Sequence, residues 1–377
     1  MKFEVERDVF TEAVSWVART IPNRPAIPVL AGMKISANTT GQISLGSRDS
    51  DITSHIDIEA SVIEEGEVLV NGKLLAEVCR SLPNKPIKFD LDGTKVEIEC
   101  GSARFSLKTM PLDDYSELPA LPALAGVVDG DIWQEAVSQV EVAASNDDTL
   151  PMLVSICLEI DGDSIALMAT DRYRLALREL TWKPENNSMK KRILVRASRL
   201  LDIAKSLGTT GPVNIYLEQE DGSSLIGFSG GGRQNTVQLI DGEYPQVRSL
   251  FPEDIQGYAS VNRNEISDAI KRSRIVVEKN AAVRLSFSEE QLVIEAGHGD
   301  AAQASEALPA TLNGEEIAIA FNPGFLQEGI AVMNSENIRV AYTVAAKPAL
   351  LIPENDKGEV FEDFKILLMP IRTFGNN

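Results

Sequence analysis

Residues 69–82 read LVNGKLLAEVCRSL, and residues 194–207 read LVRASRLLDIAKSL. The two stretches align without a gap. Each is an apolar run that ends in a turn and continues as a short amphipathic helix, with apolar residues at helical spacing. A third copy, FNPGFLQEGIAVM, begins at Phe321. The acids Glu77, Asp202 and Glu328 fall into register at nearly equal intervals. A segment that returns at a fixed interval marks a repeat architecture, and that sets the fold before any single motif is read.

A second helix family keeps the same period. Residues 9–14 are VFTEAV, 132–137 are IWQEAV and 265–270 are EISDAI. Each has a bulky apolar residue (Phe10, Trp133, Ile266), an acid two positions on (Glu12, Glu135, Asp268), then Ala and a β-branched residue. Asp8 and Asp131 suit an N-cap or a first helical turn, and Asn264 suits the third cap. Between the helices run period-two segments such as GQISLGSR, ICLEIDGDSIALMATD and VRLSFSEEQLVIEAG, which read as strands. The Pro-rich stretches PALPALAG (119–126) and FPEDIQG (251–257) separate the copies. The expectation is an α+β chain of three similar domains, 1–125, 126–256 and 257–377. Each would pack two helices against antiparallel sheets.

At 377 residues and 44% hydrophobic content the chain can bury several cores. No apolar run is long enough to span a bilayer. The charged start MKFEVERDVF lacks a signal-peptide core, and the three scattered cysteines (Cys79, Cys100, Cys157) suit a reducing cytoplasm. The net charge of −20 is shared by all three thirds, so none is a basic module. Taken alone, that acidity argues against nucleic acid as a partner.

Sequence signatures of catalysis are missing. There is no phosphate-binding Gly-x-x-x-x-Gly-Lys loop and no Gly-x-Ser-x-Gly elbow. The run Gly230-Gly231-Gly232 lies between two strand-like segments and reads as a hairpin turn. His55 and His298 have no second ligand at metal spacing. No catalytic residue, metal or cofactor is expected. A carboxylate-only metal enzyme and a repeat scaffold that binds only proteins stay open beside a DNA-associated role.

One stretch stands out: ATDRYRLA at 169–176, where an apolar strand runs into Thr170, Asp171, Arg172, Tyr173 and Arg174. Together with the triplicated plan and LLMPIR at 367–372, it resembles the bacterial sliding clamps, the β subunit of DNA polymerase III. The opening MKFEVER, NRPAIPVLAGMKI (23–35), ARFSLKT (103–109) and IDGEYPQVRSLFP (240–252) are similar to that family as well. The resemblance covers the chain from residue 1 to about 372, and the actinobacterial branch is the nearer one.

The resemblance implies a head-to-tail homodimer of three-domain protomers. Six domains would close into a ring with helices lining a hole for duplex DNA. The six helical segments are neutral in sum, which leaves all of the −20 for the outside. A DNA polymerase processivity factor of this kind grips phosphates without reading sequence. It would tether the replicative polymerase, the clamp loader and repair proteins in the cytoplasm, on the nucleoid when loaded. Arg24 matches a DNA-contacting arginine of the family. Lys73, Arg196, Arg199, Lys205, Lys271 and Arg272 are added from helix position and charge, although an ordinary solvated helix face is an equal reading for each. Phe105 and Leu107 match one side of the family's subunit interface, and Ile275 and Val276 the other.

The resemblance also implies a pocket that takes short partner peptides with apolar anchors, lying between the middle and C-terminal domains. The matching positions are Leu153, Thr170, Arg172, Tyr173, Arg174, Leu175, Pro245, Leu250, Phe325, Pro348, Met369, Pro370, Ile371 and Arg372. Leu, Met, Ile and Pro would form an apolar floor, and the arginines would donate to peptide carbonyls or acids. Asp171 reads as a turn residue. Arg172-Tyr173 stands where the family often has Gly-His, and the chain ends IRTFGNN rather than stopping near the arginine. Both departures bear on which peptides the pocket prefers.

Overall fold

The computed structural model describes residues 1–208, 211–218, 224–277, 281–297 and 302–371. Among them are six α-helices: α1 (Arg7–Val17), α2 (Gly72–Ser81), α3 (Gly130–Glu141), α4 (Ala197–Leu207), α5 (Arg263–Ser273) and α6 (Pro323–Ala331). The residues aligned across the repeats are the buried faces of these helices. Phe10, Trp133 and Ile266 are all fully buried, and so are Leu75, Leu200 and Leu326. The register acids Glu12 and Asp268 are exposed on the other side. The third cap differs from expectation. Asn262, not Asn264, accepts from the backbone N–H groups of Asn264 and Glu265. The helix starts one residue after Asn262, so only Asn262 has the extended backbone an N-cap needs.

Among the described residues the strands pair antiparallel and form three sheets. The chain divides into two compact units. The first holds Met1–Asp131, Lys183–Asn186 and Asp202–Leu239. Its strands make one fourteen-stranded sheet, in which the middle-repeat strand Arg233–Gln238 pairs with the first-repeat strand Ile52–Glu59. Phe3, Phe10 and Phe89 cluster in its core, with Phe3 and Phe89 stacked at 4.6 Å.

The second unit holds Ile132–Trp182, Asn187–Leu201 and the chain from Ile240 onward. It carries a nine-stranded sheet and a four-stranded sheet. In the larger one, Arg174–Thr181 of the middle repeat pairs with Phe364–Leu368 of the third. Cys157, Met168, Leu175, Leu177, Tyr244, Leu350 and Leu367 form a buried cluster over that joint. Sheet continuity thus crosses both sequence boundaries. A repeat leaves its edge strands unpaired, and a neighbouring repeat's edge satisfies their backbone groups.

Candidate peptide site

Strand Ser164–Thr170 and strand Arg174–Thr181 are joined by Asp171, Arg172 and Tyr173. Side chains lock this turn. The Thr170 hydroxyl donates to the Arg174 carbonyl at 2.6 Å and accepts from the Arg172 N–H at 3.1 Å. Asp171 Oδ1 accepts from the N–H groups of Tyr173 and Arg174, at 2.9 and 3.0 Å. Asp171 is therefore the turn residue, and its other oxygen accepts from Arg174 Nε at 3.0 Å.

Arg174 is buried, and its far nitrogen reaches Glu328 on α6 at 2.6 Å. Its guanidinium also lies 4.4 Å from the centre of the Phe325 ring. Phe325 sits in the first turn of α6, where Asn322 caps its N–H. The Tyr173 ring stacks on Phe325 with centroids 6.0 Å apart, and Tyr173 is 59% exposed. The chain's last described residues close the cluster. The Met369 N–H donates to the Tyr173 carbonyl at 2.9 Å, and the Ile371 N–H to the Ala320 carbonyl at 2.8 Å. Residues from three distant stretches of sequence therefore meet: the Asp171 turn, the start of α6 and the Met369 end.

Of the other positions named from sequence, Leu175 is core and Leu153 is buried. Thr170 is buried within the turn. Leu250 and Met369 are exposed, as is Pro245, while Pro348, Pro370 and Ile371 are half-buried. A cleft of about 660 Å³ is lined by Leu250, Phe251, Val344, Lys347 and Pro348 among others. A second, of about 380 Å³, runs past Arg174, Glu328, Arg196 and Asp148. Arg372 lies outside the described residues. Two groups were missed from sequence. Glu328 counted there only as a register acid, yet it anchors Arg174. Phe251, under the Lys365 ammonium at 4.9 Å, extends the apolar wall.

The expected DNA-facing cations fare unevenly. Arg24 and Lys205 are exposed and make no ion pair among the described residues. Lys73 donates to Asn23 Oδ1 at 2.5 Å, beside Arg24. Arg196 is held by Asp148 at 2.6 Å, and Arg199 is half-buried. Lys271 pairs with Asp268, and Arg272 grips both oxygens of Glu306. Among the expected subunit contacts, Phe105 is 38% and Ile275 83% exposed, while Val276 is half-buried. Leu107 needs correction. It is only 5% exposed, because it packs into its own unit's core beside Val96. Among the described residues, the backbone edge of Ala103–Lys108 has no partner strand on the side away from Lys95–Cys100, since the strand reaches Gly66–Asn71 only at Thr109 and Met110.

Among the described residues no group of three or more His, Cys, Asp or Glu is placed to hold an ion. His55 is paired with Asp57 at 3.1 Å, and His298 is outside the described residues. The three cysteines are free and buried, and burial pushes the Cys79 thiol up to about 12.

Comparison with known proteins follows the same lines. Models of the N-terminal, central and C-terminal domains of the DNA polymerase III beta subunit match residues 1–119, 127–246 and 248–372. A beta sliding clamp of Streptomyces coelicolor is 44% identical across the full length of both chains. One from Micrococcus luteus is 48% identical over 83% of this chain and all of its own. The crystal structure of the Bacillus subtilis polymerase sliding clamp superposes with a TM-score of 0.91 at 26% identity, over 99% of this chain and 100% of that one.

Proposed function

Because the chain belongs to the DNA polymerase III beta subunit family, we propose that it is a replicative sliding clamp, acting by tethering and not by catalysis. Two copies, each of three domains at 1–125, 126–256 and 257–377, close head to tail around duplex DNA in the cytoplasm. Polymerase, clamp loader and repair proteins dock through short peptides. Their site is Leu153, Thr170, Arg172, Tyr173, Arg174, Leu175, Pro245, Leu250, Phe325, Pro348 and the run Met369–Arg372.

The observation that carries this reading is the joining of Tyr173, Phe325 and Met369. An exposed Tyr173 ring stacked on half-buried Phe325, beside an exposed methionine, is a surface that suits an apolar partner. The open edge at Ala103–Lys108, with Phe105 on it, supports a second copy as its cover. Arg24 and Lys73, at one loop and the adjoining helix start, support a phosphate contact. Loading onto nicked circular DNA tests the ring: the protein is retained on circles and lost on linearisation. Retention on linear DNA, or a monomer at micromolar concentration, would defeat it. For the site, Tyr173→Ala with Met369→Ala abolishes peptide binding and leaves the dimer intact.

A further inference from the structure

Arg172 is the only non-glycine residue with positive φ among the described residues, at 78°. Every other residue there in that region is a glycine. An L-residue is strained in this conformation because its Cβ crowds the backbone. Glycine would meet the same turn geometry freely, and the two bonds to Thr170 and Asp171 that lock the turn need no side chain at 172. The fold therefore gives no reason for an arginine here. Strain that the fold does not need points to a use for the side chain.

That side chain is available. Arg172 is exposed and makes no side-chain hydrogen bond or ion pair with any described residue. Its neighbour Arg174 is the opposite case, with its guanidinium spent on Asp171, Glu328 and the Phe325 face. Of the two arginines in the turn, Arg172 is the exposed one, with its guanidinium open to a ligand, whereas Arg174 is buried. Asp147 is close enough to feel the Arg172 charge, but no hydrogen bond or ion pair joins the two. Its carboxyl is already bonded by the Thr149 hydroxyl and N–H, which hold it below the usual range, with the Arg172 charge adding to this.

We infer that Arg172 is a specificity-determining residue of the peptide site, reading an acidic side chain next to the apolar anchors of the partner peptide. Tyr173, Phe325 and Met369 take the anchors, and the adjacent guanidinium forks onto the carboxylate. This rests on the peptide-site reading above. It adds charge selection to an otherwise apolar surface.

The test uses the full chain and synthetic hexapeptides with fixed Leu and Phe anchors. One peptide has Asn at every other position, and the rest carry a single Asp moved through those positions. Wild type binds at least one Asp peptide roughly three- to tenfold tighter than the all-Asn control, and salt erodes the difference. R172Q and R172G remove that preference, so that no Asp peptide binds tighter than the all-Asn control measured on the same variant, while R172K retains part of it. R172G melts no lower than wild type. Equal binding of all peptides by wild type, or a preference that survives R172Q, overturns the inference alone. So does a melting point several degrees lower for R172G, since the arginine would then be structural. Failure of wild type to bind any peptide, control included, overturns the peptide site itself.

Discussion

Two strand joints link segments of different repeats, and they are built from opposite materials. In the first unit, Ile52–Glu59 meets Arg233–Gln238. Its three central cross-strand pairs are Thr53/Thr236, Ser54/Asn235 and His55/Gln234, all polar. The Thr53 and Thr236 hydroxyls bond at 2.5 Å, and the Asn235 amide donates to Ser54 Oγ at 2.6 Å and the Thr53 carbonyl at 3.1 Å. Ser54 is bonded in turn to Thr20. In the second unit, Arg174–Thr181 meets Phe364–Leu368 through Leu175/Leu367, Ala176/Ile366 and Leu177/Lys365. Apolar contacts supply stability without fixing partners closely. Buried hydrogen bonds supply little net stability but penalise every wrong register. The joint beside the proposed peptide site is the apolar one, and the site's Leu175 is also core.

The contrast yields a ranked set of measurements. Leu177→Ala opens a cavity in the apolar cluster and costs about 2–5 kcal/mol in chemical denaturation. A loss below that range would mean the joint is not held by packing. Arg174→Ala comes next. It strips Asp171 and Glu328 of their shared partner, costs about 1–3 kcal/mol, and weakens anchor-peptide binding by loosening Phe325 under Tyr173. Unchanged peptide affinity in that variant would separate the turn from the site.

Asn235→Ala, at the polar joint, removes two bonds while Ser54 keeps Thr20. The expected cost is about 1–2 kcal/mol. If it matches Leu177→Ala, the contrast between the joints collapses. The smallest effect is expected for the double variant Thr53→Val with Thr236→Val. Replacing both partners of one hydrogen bond by groups of the same shape leaves stability within about 0.5 kcal/mol of wild type.

Helix faces were legible in the sequence because burial follows a local period. Phe10, Trp133 and Ile266 could be aligned by eye and are all in the core. The Gly231-Gly232 turn was legible for the same reason: both residues have positive φ and join Leu225–Gly230 to Arg233–Gln238. The strand joints were not legible. Thr53 and Thr236 are distant in the chain, and no periodicity announces which edges will meet. Arg174 shows the same limit at the site. From sequence it was a donor to peptides. Its guanidinium is also held by a turn carboxylate and a helix carboxylate, and only the fold reveals the second.

The open edge of Ala103–Lys108 has a consequence for how copies can recognise one another. Suppose two such edges were to zip together, antiparallel about Ser106. Arg104 of each would then stand directly across from Lys108 of the other, and like charges opposed across strands repel. In that register the edge is unattractive to itself while remaining open to a dissimilar strand. A protomer built this way resists symmetric pairing in that register, which agrees with the head-to-tail contact proposed above, the kind that can close a ring.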